Sequence, residues 1–139
     1  MRTCTSARRA YWISGQPDGL PHAGGGLYLR PRDMAKLGQL VLGDGAWRGR
    51  QIVSAAWMRE STAAQVVAPR TLGSHPVDYG FLWWIMSPMD IVTASGARGQ
   101  WIFVSRRHRL VVAATGANDN GFWASPADFL YSDILPAIN

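Results

Sequence analysis

Apolar residues fall at two different spacings along this 139-residue chain, and the change between them divides it. Met34, Leu37, Leu40 and Val41 recur at helical spacing and form one stripe. Pro31 suits a first helical turn, Asp33 complements the positive end of the helix dipole, and Gly43-Asp44-Gly45 ends the element. Beyond a loop carrying Trp47 and Gly49, Ser54 is placed to cap a second helix through Ala55, Trp57 and Met58 to about Thr62. Residues 63–78 hold Pro69, Gly73 and Pro76 and read as a loop.

From Tyr79 the period drops to two. Tyr79 to Ile85, Ile91 to Ser95, Gln100 to Val104 and Leu110 to Thr115 predict four strands, and their short connections favour an antiparallel meander. Ser125-Pro126-Ala127-Asp128 joins a cap, a first-turn proline and an early carboxylate. Phe129, Leu130, Ile134 and Leu135 then give a closing helix its apolar face. Residues 1–22, broken by Gly15, Pro17, Gly19 and Pro21, read as irregular. The predicted class is α+β, with two helices, a four-stranded antiparallel sheet and a C-terminal helix packed on it.

Composition narrows the picture little. The chain is 47% hydrophobic with seven Trp, which are assigned mainly to the core and cleft walls. Its net charge of +5 comes almost wholly from Arg, since Lys36 is the only lysine among fourteen basic residues. The one tight cluster, Arg106-Arg107-His108-Arg109, falls on a hairpin turn and reads as solvated turn charge. No nucleic-acid recognition element accompanies it. A single cysteine, Cys4, rules out an internal disulfide and leaves the compartment undecided. No apolar run reaches the length of a membrane span, and the first residues lack the apolar stretch of a signal peptide.

The chemistry-bearing stretch is Gly96-Ala97-Arg98-Gly99-Gln100, which runs into Trp101-Ile102-Phe103-Val104. Glycines at the edge of a strand let bare backbone approach a ligand, and backbone N–H groups there can receive a developing oxyanion. Other constellations are weaker. His22, His75 and His108 have no metal-ligand spacing, so neither a metal nor a cofactor is expected. A Ser95, His22 or His75, Asp78 or Asp90 triad lacks an elbow motif around the serine. Gly24-Gly25-Gly26 lacks the Gly-Lys-Ser/Thr of a phosphate loop.

Several segments together resemble a family. Gly24-Gly25-Gly26-Leu27-Tyr28-Leu29 running through Asp33-Met34-Ala35 to Leu40 is similar to the glycine-plus-helix segment of the serine β-lactamase-related hydrolases. Asp44-Gly45-Ala46-Trp47 to Ser54 with Trp57, and Tyr79-Gly80-Phe81-Leu82-Trp83-Trp84, resemble it too. Ser95-Gly96 to Val104, followed by Leu110 to Thr115, completes the match in the family's order over residues 11–139. Residues 1–10 match nothing in the family and are expected to be disordered. The similar branches are class C β-lactamase and penicillin-binding protein-like enzymes, esterases and 6-aminohexanoate-dimer hydrolases.

The resemblance implies a helical subdomain beside an antiparallel sheet, with acyl transfer to a serine between them. Small-molecule esters or amides would be the substrates, and members are often periplasmic or secreted. Carried over by position, Ala97-Arg98-Gly99 occupies the sheet-edge Lys/His-Thr/Ser-Gly motif, and the Gln100 N–H is the oxyanion donor. Arg98 would bind a substrate carboxylate or stack on an aromatic wall, and Asn118 would touch a substrate acid group.

Two family motifs are absent. Lys36 is preceded three positions earlier by Asp33, so there is no Ser-x-x-Lys. None of Tyr11, Tyr28, Tyr79 and Tyr131 opens a Tyr-x-Asn. Both motifs lie N-terminal to this region in the family, so the chain reads as the C-terminal portion of such a domain, without a nucleophile. The rival reading is a non-catalytic binding or structural module of the same fold, completed by a separate N-terminal part or self-associating through exposed core surface.

Overall fold

A computed structural model of the chain describes residues 10–12, 19–20, 24–117 and 126–138. Four short strands and two helices lead in. β1 (Ala10–Trp12) pairs antiparallel with β2 (Leu27–Leu29), in a stretch that reads as partly irregular by sequence. Helix α1 (Pro31–Leu42) begins with proline in its first turn, and the Arg30 carbonyl accepts from the Asp33 and Met34 amides at 2.8 and 3.0 Å. Gly43 ends it, followed by Asp44 and Gly45 at φ 48° and 83°. β3 (Ala46–Trp47) and β4 (Arg50–Gln51) form a small ribbon before α2 (Ala55–Ser61). Ser54 Oγ caps α2 by accepting from the Trp57 amide at 3.2 Å, as its position predicts.

The main sheet has six antiparallel strands rather than four, in the order β10-β9-β8-β7-β6-β5. The two additional strands are β5 (Val66–Leu72) and β6 (His75–Tyr79), a hairpin in the stretch that reads as a loop. Gly73 at φ 61° makes its turn, and a bulge lies between Val66 and Arg70. The predicted strand from Tyr79 to Ile85 is broken. The Gly80 N–H bonds the Trp83 carbonyl at 2.8 Å, Leu82 stands at φ 64°, and only then does β7 (Trp84–Met86) begin. A Cβ on Gly80 would lie 2.5 Å from the Ser61 carbonyl oxygen, so the break follows from a close backbone approach to the end of α2. β8 (Ile91–Gly96), β9 (Gln100–Ser105) and β10 (Leu110–Ala114) complete the meander.

Alternation along the strands buries both sheet faces. Ile85, Val92, Ile102 and Val104 pack with Met34 and Val41 of α1 and Met58 of α2. Met86, Ile91, Trp101 and Phe103 face the other way, against Ala127 and Leu130. Those last two belong to the C-terminal helical run, where α3 (Pro126–Phe129) passes through a π-turn at Leu130–Ile134 into α4 (Leu135–Ala137). Helices therefore cover both faces, with α1 and α2 on one and the closing helix on the other. Trp83 joins the first cluster and Trp84 the second, as period-two alternation requires. Ser125, the predicted cap of the last helix, lies outside the described residues. Among those residues, no helix is long and apolar enough to cross a membrane.

Candidate functional site

The Gly96–Gln100 stretch is a hairpin turn at the end of the sheet, not a lateral strand edge. β8 and β9 pair from Ile91↔Ser105 to Gly96↔Gln100, and Ala97, Arg98 and Gly99 turn the chain between them. Arg98 at φ 63° and Gly99 at φ 86° both take left-handed backbone, which no continuing strand can use. The turn is held from the neighbouring strand. Gln100 Nε2 donates to the Gly116 carbonyl at 2.6 Å, just beyond β10. A Cβ on Gly116 would meet the Arg98 carbonyl oxygen at 3.0 Å and the Gly99 Cα at 3.4 Å, so glycine lets the two backbones touch.

Gly96, Ala97 and Arg98 are exposed, while Gly99 and Gln100 are half-buried. The sheet end therefore offers a stretch of backbone with little side chain over it, flanked by a guanidinium. Asn118, assigned to the same site by resemblance, lies outside the described residues. Trp84 pairs with Thr93, so the Gly80–Trp83 turn opens toward this same sheet end.

Beside it, between α1, α2 and that turn, runs a groove of about 580 Å³ whose walls include Leu37, Val53, Trp57, Met58 and Phe81. Trp57 and Phe81 stack at 5.3 Å between ring centroids. The sequence marks Trp57 and Phe81 only as members of family-like segments. A groove between them depends on tertiary approach and has no local signal.

Lys36 takes no part in the sheet-end site. It sits on α1, exposed, with its Nζ 2.5 Å from Asp33 Oδ1. The triad considered around Ser95 is not assembled from the described residues. His75 lies 3.8 Å from Asp128 Oδ1 and is tilted against the Tyr131 ring, centroids 3.8 Å apart. Asp78 instead accepts from Ser87 Oγ at 3.1 Å, and His22 lies outside the described residues.

A different serine–histidine contact does form. Ser105 Oγ and His108 Nδ1 lie 2.8 Å apart, and the His108 amide donates to the same oxygen at 3.3 Å. Ser105 is only 3% exposed and sits at the far end of β9, so the contact closes the basic turn and is not open to a substrate. Its one sequence signal is the Ser-x-x-His spacing at that turn. Nor is the basic cluster wholly solvated, because Arg106 Nη2 donates to Thr62 Oγ1 at 2.8 Å and ties the turn to the end of α2. Among the described residues no three His, Cys, Asp or Glu converge as metal ligands.

Burial pushes the Tyr131 hydroxyl up to about 12; its hydrogen bond runs to Met86 Sδ at 3.0 Å. This is on the face of the closing helix and away from the turn.

No family model matches the chain, and no curated protein matches it. Solved structures do. A protein of Bacillus anthracis assigned as a 6-aminohexanoate-dimer hydrolase superposes with a TM-score of 0.65 at 24% identity, over 78% of this chain and 28% of that one. One of Bacteroides dorei DSM 17855 assigned as a β-lactamase gives 0.58 at 20% identity, over 81% of this chain and 40% of that one. The chain thus spans less than half the length of either. At this identity the likeness is one of architecture: the chain is built as part of the fold shared by these β-lactamase-like hydrolases.

Proposed function

We propose that this chain is the C-terminal, sheet-bearing portion of a β-lactamase-related serine hydrolase. Such an enzyme transfers the acyl group of an ester or amide through an acyl-serine. The serine oxygen adds to the carbonyl carbon, negative charge develops on the carbonyl oxygen, and the alcohol or amine leaves with a proton. In this reading the Gly96–Gln100 turn receives that oxygen, with the Gln100 N–H as donor and Gly99 keeping the approach clear. Ala97, Gly96 and Arg98 line the substrate side together with Asn118, and Arg98 meets a carboxylate or an aromatic group.

The observation carrying this reading is the bare, left-handed turn at the sheet end of a fold shared with such hydrolases. The chain has no Ser-x-x-Lys and no Tyr-x-Asn, so alone it makes no acyl-enzyme. A serine-reactive phosphonate is expected to leave no stoichiometric adduct on the isolated chain, and an adduct would show that a nucleophile is present. Titration with a phosphonate monoester is expected to move the backbone amide signals of Gly99 and Gln100 first. Silence at those amides would remove the role of the turn.

A non-catalytic module is the second reading, favoured by the open apolar groove beside α2. It expects no ligand-induced shift at the turn, even when a polypeptide carrying the rest of the fold is supplied.

A further inference from the structure

The end of the sheet opposite the Gly96–Gln100 turn holds a second cavity, of about 230 Å³. It lies between the turn Ser87–Met89 that joins β7 to β8, the basic turn between β9 and β10, and the closing helical run. Pro88, Met89 and Leu135 give it apolar walls, Tyr131 an aromatic one, and Arg107 and His108 a polar side. The Ile91↔Ser105 pair marks this end of the sheet and Gly96↔Gln100 the other, a separation of about 17 Å along β9.

The polar side offers donors. Ser105 Oγ accepts from the His108 amide at 3.3 Å, which leaves its own hydrogen for His108 Nδ1 at 2.8 Å. The ring proton then sits on Nε2, and a protonated ring keeps Nε2 a donor as well. Arg107 is exposed, and among the described residues no carboxylate comes within ion-pair distance of it. Its neighbour Arg106 is turned away to Thr62. Of the acids nearest in sequence to the cavity walls, Asp90 and Asp133, the second accepts from Ser132 Oγ, and neither pairs with the basic turn.

We infer that this cavity binds a small organic carboxylate, its oxygens on Arg107 and His108 Nε2 and its apolar body against Met89 and Leu135. The guanidinium fork matches a planar carboxylate, and charge-assisted bonds are stronger than neutral ones. Inorganic phosphate has no apolar part to set against those walls. A cavity of about 150 Å³ holds benzene, so the space here takes a ring and a carboxylate together.

Benzoate is the probe. Titrated into the full chain at low ionic strength, it is expected to shift the backbone amide signals of Met89, Arg107, His108 and Leu135 saturably. A ligand of this size binds with a dissociation constant in roughly the millimolar range. Benzyl alcohol, which keeps the ring and lacks the charge, should bind at least about tenfold more weakly. Arg107→Gln should weaken benzoate by a similar factor, and Arg107→Lys, which keeps the charge and loses the fork, should fall between. Arg107 is exposed, so neither variant should disturb the fold, and circular dichroism checks this.

Absence of a saturable shift at these amides up to about 20 mM benzoate overturns the inference. So does benzyl alcohol binding as well as benzoate, or an Arg107→Gln chain that binds undiminished. Inorganic phosphate shifting the same amides as strongly would make this a plain anion site and overturn the carboxylate assignment. Shifts confined to Gly99 and Gln100 would put benzoate at the other sheet end. The two sites therefore stand or fall on different signals.

Discussion

The Gln100 side chain reaches across to the Gly116 carbonyl at 2.6 Å, so one residue contributes two separate things to the sheet end. It stands opposite Gly96 as the last residue pair of the β8–β9 register, while its side-chain amide ties the turn to the end of β10. Gln100→Ala removes the tie and keeps the backbone N–H. The loss of one such bond costs about 1 kcal/mol, a fall of several degrees in Tm for a domain of this size. Hydrogen exchange at Gly99 and Gly116 should quicken in the variant. Unchanged exchange would mean that the glycine–glycine contact alone holds the turn.

Where local pattern and tertiary packing agree, the fold is legible in the sequence. The stripe of α1, the cap at Ser54 and the opposite facings of Trp83 and Trp84 all follow from spacing, because each depends on neighbours within one element. The β5–β6 hairpin does not. Pro69, Gly73 and Pro76 are loop signals, yet Pro76 pairs with Thr71 on the outer strand, and β7 meets β6 only at Asp78 and Tyr79. The missing N–H of Pro76 therefore lies beyond the β7 ladder, where a proline is tolerated. For the candidate site, the glycines announce close backbone approach. That they shape a turn instead of a strand edge depends on the left-handed φ of Arg98, a non-glycine that the pattern does not flag.

Gly38 sits in the middle of α1, where glycine lowers helix stability, and the packing explains it. A Cβ there would lie 2.4 Å from Val111 Cγ1 and 3.0 Å from Ile102 Cγ2, so the helix rests directly on β9 and β10. Alanine would gain about 1 kcal/mol of helix propensity and lose as much or more to crowding. Gly38→Leu has no such compensation and is expected to cost about 3 kcal/mol or to push α1 off the sheet. Chemical denaturation measures the first outcome. A variant as stable as the wild type would show that α1 does not sit this close in solution.

Trp101 is 3% exposed and stacked on Phe103 at 5.2 Å, but its indole N–H has no hydrogen-bond partner among the described residues. An unpaired buried donor costs about 1–3 kcal/mol, which offsets part of what the ring contributes by burial. Trp101→Phe removes the donor and keeps an aromatic ring, so the net loss should stay within about 1 kcal/mol, whereas Trp101→Ala should cost about 3–5 kcal/mol. Equal losses from both would mean that the N–H is satisfied in solution.

Tyr131 links the closing helix to the sheet, and its chemistry gives that contact a pH signature. Its hydroxyl donates to Met86 Sδ at 3.0 Å, its ring lies against His75, and burial raises its pKa from 10.0 to about 12. The folded state therefore holds the phenol proton more tightly than the unfolded chain does. The resulting stability is present in full below pH 10, where both states are protonated. It is lost as pH rises toward 12, because the unfolded chain ionises first. Tyr131→Phe should lower Tm at neutral pH through the missing sulfur contact, and should also flatten the decline of Tm between pH 9 and 11.5 relative to the wild type. Parallel declines in the two proteins would place the alkaline transition elsewhere, and would mean that burial does not hold this hydroxyl neutral.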